Sequence, residues 1–154
     1  MFLGVNTLNV DAKGRLAIPV KHRDALAECC ASRVTVTINP ISKARCLWLF
    51  PDDEWRKVAL KLAELPAMDG RSQALKRLLL GNASEIEIDA QGRILLSAEQ
   101  RRYAGLGKRV ALVGQVNKFE IWDEQAWQGN LDNWLDQVAD DTSGSTAQLD
   151  GITL

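Results

Sequence analysis

Short runs of alternating polar and apolar residues, each followed by a turn sequence, occur once in each half of the chain. Residues 7–10 and 84–88 alternate or nearly alternate, as half-buried strands do. An Asp-x-x-Gly sequence follows each run; aspartate favours the first position of a tight turn and glycine the fourth. The pattern therefore predicts two hairpins with a glycine bulge, whose return strands span 15–18 and 93–96.

A helix and two more strands are predicted after each hairpin. Pro19 suits the first turn of a helix, where its missing N–H is not needed. Ser97 and Gln100 have the spacing of a capping box. Each half is therefore predicted to be β-β-α-β-β. The predicted helices span 20–31 and 98–105, and the predicted strand pairs span 34–38 with 46–50 and 109–114 with 118–122.

Amphipathic helices are predicted outside these two units. A helix that begins after Pro51 places four apolar residues on one face, Trp55, Val58, Leu62 and Leu65. A second helix, over 71–80, is predicted to stop at Gly81. The last helix carries five apolar residues at helical spacing, Trp127, Leu131, Trp134, Leu135 and Val138. We interpret the tryptophans as core or subunit-interface residues; stacking on single-stranded bases is the alternative.

An internal repeat relates the two halves. Residues 10–16, VDAKGRL, match residues 88–94, IDAQGRI, and later landmarks recur in the same order. One unit has too little core to fold alone, so the two units are expected to bury each other's sheets. The predicted fold class is α+β, in which two pseudo-twofold β-β-α-β-β halves form one β-rich core with extra helices.

The predicted organisation has four segments. The first half occupies 1–50, a helical connector 51–80, and the second half with its C-terminal helix 81–140. Residues 141–154 lack a sustained pattern and are predicted to be a disordered acidic tail. No apolar run approaches the ~20 residues that span a bilayer, and the N-terminus lacks the pattern of a signal peptide. We therefore expect a cytoplasmic protein without a membrane partner.

Charge is distributed unevenly, although the formal net charge is −1. Residues 119–154 contain eight acidic residues and no lysine or arginine. Residues 1–118 carry 19 basic and 12 acidic residues, an excess of seven positive charges. This asymmetry predicts a basic body that faces an anionic partner and an acidic C-terminal segment that faces away from it.

Catalytic and metal-binding chemistry find little support in the sequence. The single histidine, His22, lies between two basic residues and is interpreted as an exposed or half-buried side chain rather than a catalytic base. Asp11 and Asp89 are related by the repeat, but each already has a turn-forming role. Three cysteines without C-x-x-C spacing predict reduced thiols and no zinc site. We therefore predict no enzyme activity, no catalytic residue, no metal, no cofactor and no small-molecule substrate.

Basic residues surround both predicted turns. Arg15 and Arg93 directly follow the turn glycines, Gly14 and Gly92, and Lys13 lies at the tip of the first turn. The helices that follow add three more candidate contacts, Lys21, Arg23 and Arg101. A two-stranded ribbon fits the major groove, where the arginine fork can donate two parallel hydrogen bonds to guanine. These residues favour DNA binding; a hairpin with a solvated arginine is the plainer alternative.

Five motifs together carry a family resemblance. They are Met1-Phe2-x-Gly4, residues 11–19 (DAKGRLAIP), residues 77–85 (RLLLGNASE), residues 89–93 (DAQGR) and residues 112–122 (LVGQVNKFEIW). On these motifs the chain resembles the MraZ family of bacterial regulators, whose halves are similar to the swapped-hairpin AbrB-type fold. The motifs stand in the family's order along most of the chain.

The resemblance implies a nucleoid-associated, sequence-specific regulator that represses the division and cell-wall operon beginning with its own gene. It implies a ring-shaped homo-oligomer bound to short G-rich, promoter-proximal repeats in double-stranded DNA. The family's DNA-contacting motif maps onto Lys13 and Arg15, and the internal repeat extends it to Arg93. Because Gln91 stands where the first turn has Lys13, we expect the first turn to contact bases and the second mainly the DNA backbone.

Three alternatives predict different behaviour. A ring whose hairpins dock a protein partner would show no preference for one DNA sequence over another. An antitoxin-like DNA-binding dimer would have the mass of two chains. An enzyme would require a catalytic site that the sequence does not display.

Overall fold

Two β-β-α-β-β units follow one another along the chain, as the repeat predicts. The computed structural model of the protein describes residues 1–140 and 151–152, so most of the predicted tail, 141–154, lies outside the described residues. The strands are β1 Val5–Asn9, β2 Arg15–Ala17, β3 Arg33–Ile38, β4 Leu47–Pro51, β5 Ser84–Glu87, β6 Arg93–Leu95, β7 Arg109–Gly114 and β8 Phe119–Asp123. The helices are α1 Val20–Cys30, α2 Asp52–Ala63, α3 Gly70–Gly81, α4 Ala98–Tyr103 and α5 Glu124–Ala139.

The two units exchange strands to build the main sheet. This antiparallel sheet has six strands in the order β1-β7-β8-β4-β3-β5. β1 of the first unit pairs with β7 of the second, and β5 of the second pairs with β3 of the first. β4 and β8 pair at the centre, where the pseudo-twofold axis passes. The α+β class with two mutually dependent halves is thereby confirmed.

The predicted turns and return strands form, but each return strand pairs with the other half. The Gly14 N–H donates to the Asp11 carbonyl at 3.0 Å, which closes the first turn. Beyond that turn, β1 and β2 meet only at an isolated bridge between Val10 and Leu16. β2 pairs instead with β6, and together they make a two-stranded ribbon. The expectation of two locally paired hairpins is therefore wrong, because β2 and β6 pair along their length only with each other, across the pseudo-twofold axis.

Backbone hydrogen bonds hold the ribbon against both turns. The Ile18 N–H donates to the Gly92 carbonyl at 2.8 Å, and the Leu96 N–H donates to the Gly14 carbonyl at 3.0 Å. Gly14 has a φ of 87° and Gly92 a φ of 77°, in the left-handed region that side chains with a Cβ rarely adopt. Each turn glycine thus serves its own turn and also the return strand of the other half.

An arginine from the opposite half covers each turn glycine. A Cβ built on Gly14 would lie 2.8 Å from Nε of Arg101, and a Cβ on Gly92 would lie closer still to the Arg23 guanidinium. Arg23 Nε donates to its own half's Ile18 carbonyl at 2.6 Å, which anchors the side chain in that position. Glycine is therefore required at both turns for close approach as well as for backbone conformation.

The main core lies between the ribbon and the six-stranded sheet. Alternation along the ribbon turns Leu16 and Ile94 inward, where they are 0% and 1% exposed. They pack in one cluster with Leu112 and Ile121 of the sheet and Leu26 of α1. Burying each such side chain contributes roughly 1.5–3 kcal/mol. Hydrophobic burial therefore fixes which face of the ribbon points outward.

The outer helices cover the opposite face of the sheet unevenly. In α2, Trp55 and Leu62 are buried, as the helical spacing predicts. In α5, Trp127 and Trp134 pack on Trp122, with ring centroids 6.2 and 5.2 Å away. The remaining members of the predicted α5 stripe are exposed: Leu131 by 41%, Leu135 by 66% and Val138 by 88%. The apolar face of α5 is therefore only partly buried within one chain.

Helix ends agree with the sequence at two sites and differ by one residue at a third. Ser97 and Gln100 form the predicted capping box. Pro19 stands at the N-cap of α1, one residue before the predicted first-turn position. α3 ends at Gly81, as predicted, and Asn82 is its C-cap. Gly81 is not among the glycines with positive φ, so the helix ends there without the left-handed conformation that a C-terminal glycine often adopts.

Two predicted side-chain states are corrected by the fold. Cys29 and Cys30 are bonded to one another in a disulfide at the end of α1, whereas reduced thiols were predicted; Cys46 is a free, buried thiol. His22 is 6% exposed rather than half-buried, and its ring packs edge-on against Phe2 and Phe119 at 5.6 and 4.9 Å. The burial of His22 depends on tertiary packing around α1, which helical position alone does not reveal.

We expect Gly92→Ala to destabilise the protein by about 1–3 kcal/mol, since a Cβ would meet an unfavourable φ and displace Arg23. Gly81→Ala is the matched control, because a Cβ there would contact no atom within 4 Å. Urea unfolding at one fixed protein concentration measures both variants. Equal stability of Gly92→Ala and wild type would contradict the structural role given to this turn.

Burial of His22, with smaller contributions from Lys21 and the N-terminal amine, lowers the pKa of its imidazole below the ordinary 6.5. The unfolded chain then binds a proton more readily than the folded one, so stability falls as pH drops from about 6.5 towards the folded pKa. Because the chain has one histidine, its imidazole NMR signal can be followed without ambiguity. We expect His22→Gln to remove this part of the pH dependence; an imidazole that titrates at or above 6.5 would contradict the burial.

Candidate nucleic-acid interface

Each turn is built around an aspartate that organises the arginine four residues later. Asp11 Oδ1 accepts from the backbone N–H groups of Lys13 and Arg15 at 3.0 and 2.8 Å. Asp11 Oδ2 accepts from Nε of Arg15 at 2.7 Å. The Arg15 backbone N–H is the largest cause of the lowered pKa of Asp11. The turn-forming role predicted for this aspartate is therefore seen in its hydrogen bonds.

The second turn repeats the arrangement. Asp89 accepts from the backbone N–H groups of Gln91 and Arg93 at 2.9 and 2.8 Å and from Arg93 Nε at 3.0 Å. The pKa of Asp89 is likewise lowered, chiefly by the Arg93 backbone N–H. One difference is that Arg93 Nη2 also donates to Gln91 Oε1 at 3.4 Å. The second arginine is thus more fully engaged within its own turn than the first.

Pairing of β2 with β6 brings the two turn arginines onto one surface. In the ribbon register, Arg15 lies opposite Leu95 and Ala17 lies opposite Arg93. Because Leu16 and Ile94 point into the core, these four residues point outward. Arg15 and Arg93 are diagonal neighbours, whose Cα atoms in such pairs are about 7–8 Å apart. We call the surface formed by Arg15, Ala17, Arg93 and Leu95 the ribbon face.

The arginines of α1 and α4 each lie beside the turn of the opposite half. Arg101 lies over Gly14, beside the first turn, and Arg23 lies over Gly92, beside the second. Each is partly buried, and each directs Nε to a backbone carbonyl of its own half. The sequence suggested that each helix adds its charge to its own hairpin; the exchange of strands reverses that grouping.

The two candidate lysines occupy different places. Lys13 is exposed at the tip of the first turn, next to Arg15. Lys21 is also exposed, but its Nζ lies 3.5 Å from the position of a Cβ on Gly4. Gly4 precedes β1 and the turn follows it, and a five-residue strand is about 17 Å long. The structure therefore places Lys13 beside Arg15 at the first turn and directs the Lys21 ammonium towards Gly4, before β1.

The fixed geometry of the turn leaves part of the Arg15 guanidinium available. Its ion pair with Asp11 uses Nε, and the side chain is 31% exposed. Within the part of the chain that the structure describes, its Nη atoms make no hydrogen bond. Two Nη groups held in a plane can donate bidentately to guanine or to a phosphate. Asp11 thereby orients the Arg15 side chain and leaves its two Nη groups available for hydrogen bonds.

Sequence reasoning missed the cross-half ribbon and, with it, Leu95 on the ribbon face. The period-2 pattern over 93–96 shows that Arg93 and Leu95 share a face, but not that Arg15 stands opposite Leu95. That proximity depends on pairing between strands 78 residues apart, for which a single sequence carries no direct signal.

The described residues offer little for metal binding or for crossing a membrane. Among residues 1–140 and 151–152, one group could offer three metal ligands, Cys29, Cys30 and Asp53. The two sulfur atoms are bonded to one another, so they provide no thiolate pair for a metal. Over the same residues, no helix combines the length and apolar character needed to cross a bilayer.

Comparisons with known proteins agree with the repeat and the fold. The profile of a family described as "MraZ protein, putative antitoxin-like" matches residues 1–78 and again residues 79–145. The chain is 46% identical to the transcriptional regulator MraZ of Thioalkalivibrio sulfidiphilus (strain HL-EbGR7). It is 45% identical to the protein of that name from Halorhodospira halophila (strain DSM 244 / SL1) and 43% to that from Shewanella baltica (strain OS155 / ATCC BAA-1091). Each similarity extends over 154 residues and covers all of both chains, so the chain belongs to the MraZ family.

Proposed function

We propose that this protein is a cytoplasmic, nucleoid-associated transcriptional regulator that binds double-stranded DNA through the ribbon face. The observation that carries the proposal is the placement of Arg15 and Arg93 on one outward surface, each with its Nε fixed by an aspartate. The names of the full-length relatives, which are transcriptional regulators, support the same function.

Recognition follows from the shape and chemistry of the ribbon. The major groove is about 12 Å wide and admits a two-stranded ribbon. Arginine donates bidentately to O6 and N7 of guanine, which fits the short G-rich repeats that the family resemblance implies. Arg15 is the proposed base contact, and Lys13 beside it the proposed phosphate contact. Arg93, which is also bonded to Gln91, is proposed to contact mainly the backbone, with Arg101 and Arg23 supporting the two turns.

One ribbon gives too little affinity for a specific regulator, so the proposal includes a ring-shaped homo-oligomer. A few phosphate contacts per subunit make binding weak and salt-sensitive. Linking several subunits can raise the affinity for repeated sites by ~10²–10⁴ without a new kind of contact. Repeats near the promoter would then be occupied together, and RNA polymerase excluded. On this proposal the regulated operon is the division and cell-wall operon that begins with the protein's own gene.

Two faces of opposite charge are proposed to meet between neighbouring subunits. α5 exposes Leu131, Leu135 and Val138 and carries Glu124, Asp132 and Asp136 without a basic residue. A groove of about 390 Å³ beside α3 is lined by Ile41 and Leu78 and by the basic Arg71. Because the two faces differ, their contact is head-to-tail, and a repeated head-to-tail contact closes into a ring when its rotation permits.

Arg15→Ala is expected to weaken binding to the DNA upstream of the protein's own gene by about 5- to 150-fold, because a bidentate base contact contributes about 1–3 kcal/mol. Arg56→Ala is the matched control, since Arg56 also pairs through Nε with an aspartate four residues away, Asp52, but lies on α2. Binding is measured across a salt series against scrambled DNA, with circular dichroism confirming the fold. Equal weak binding to both DNAs, unchanged by Arg15→Ala, would favour a protein-docking ring and contradict the proposal.

Leu135→Asp is expected to dissociate the oligomer, since it places a charge on the proposed apolar contact of α5. Leu60→Asp is the control, because Leu60 is exposed to a similar extent, 68%, on α2. Light scattering coupled to size exclusion gives the mass of each variant. A wild-type mass of two chains would favour the antitoxin-like dimer, and loss of the ring in Leu60→Asp alone would place the contact on α2 instead.

A further inference from the structure

The ribbon face carries an exposed leucine at a position where the other half has alanine. Leu95 is 55% exposed, although it stands in a strand between residues that are fully buried. The repeat relates Leu95 to Ala17, so the two sides of the pseudo-twofold axis present different apolar surface beside their arginines. Leu95 thus adds an exposed apolar side chain to a basic surface.

The ribbon register places this leucine directly beside Arg15. Gly14 with Leu96 and Ile18 with Gly92 occupy hydrogen-bonded positions. Hydrogen-bonded and non-hydrogen-bonded pairs alternate in antiparallel strands, so Arg15 with Leu95 is a non-hydrogen-bonded pair, in which side chains approach most closely. The Cβ atoms in such pairs are roughly 4.5–5.5 Å apart. Leu95 therefore reaches the same or the neighbouring base pair as Arg15, because base pairs rise by about 3.4 Å.

We propose that Leu95 is a specificity-determining residue that contacts the 5-methyl group of a thymine next to the guanine bound by Arg15. The inference rests on the proposed function and adds a second base to it. The thymine methyl is the apolar group that base edges display in the major groove, and aliphatic side chains recognise it by contact. The flanking arginines draw the leucine against DNA, where its exposed surface is removed from water.

The asymmetry of the ribbon makes this contact one-sided. Ala17, opposite Arg93, has a single methyl group and cannot extend as far as leucine. The repeat also relates Lys13 to Gln91. The two stronger recognition elements, Lys13 and Leu95, therefore both lie beside Arg15. A ribbon with a near-twofold backbone then binds a DNA element that is not palindromic.

The test replaces thymine by uracil, one position at a time, in the DNA upstream of the protein's own gene. Uracil lacks only the 5-methyl group, so the wild-type protein itself reports the contact without any mutation. We expect one thymine per element whose replacement weakens binding about fourfold, the value of one buried methyl or methylene group. At that position Leu95→Ala binds the thymine and uracil forms equally and matches wild type on uracil.

Two further variants complete the cycle. Leu80→Ala removes a leucine of comparable exposure, 40%, from α3 and is expected to keep the wild-type thymine preference. Ala17→Leu is expected to create a second uracil-sensitive position, offset from the first. If wild type binds its upstream DNA selectively but no uracil replacement matters, or if Leu95→Ala keeps the preference, the inference is overturned and the proposed function stands. If wild type shows no selective DNA binding at all, both fall.

Discussion

The pairing of β2 with β6 across the two halves is the interaction on which the rest of the structure depends. It turns two short strands, each with an incomplete partner in its own half, into a ribbon that seals the core with Leu16 and Ile94. The same pairing requires Gly14 and Gly92 at the turns. The carbonyl of each glycine accepts a hydrogen bond from the residue that follows the return strand of the other half, and each glycine lies beneath an arginine of that half. Folding of one half is thus inseparable from folding of the other, as expected for units too small to bury a core alone.

The surface proposed to bind DNA is created by this constraint. Since burial directs alternate ribbon residues inward, the remaining ones must face outward, and they include both turn arginines. Asp11 and Asp89 fix Nε of these arginines, so the side chains lose little further freedom when they meet DNA. The proposed recognition therefore arises from the fold itself rather than from a separate module attached to it.

The near-symmetry of the backbone is not matched by its side chains. His22, packed between phenylalanines, corresponds in the repeat to Gln100, whose amide donates to the Val36 and Asn82 carbonyls at 3.1 Å. Lys13 corresponds to Gln91, and Ala17 to Leu95. Duplicated units that share a backbone can diverge in this way, and the proposed division of roles, with base contact at the first turn and backbone contact at the second, fits these differences.

The sequence predicted most elements because their signals are local. The Asp-x-x-Gly turns, the Ser97–Gln100 capping box and the Trp55 and Leu62 face of α2 each depend on residues close together in the chain. The exchange of return strands, the cover of Gly14 by Arg101 and the burial of His22 depend on contacts between distant segments, which one sequence does not encode in a legible pattern. The lysines illustrate the limit: Lys13 and Lys21 look equally placed in sequence, yet Lys13 lies at the tip of the first turn and the Lys21 ammonium lies near Gly4, before β1.

Methylation interference shows whether the ribbon face meets guanine in the major groove, as proposed. Methylation of guanine N7 blocks the acceptor that an arginine fork needs, while leaving base pairing and the phosphate backbone intact. We expect N7 methylation at specific guanines in the upstream DNA to abolish binding of the wild-type protein. Full binding to DNA methylated at every guanine N7 would contradict it.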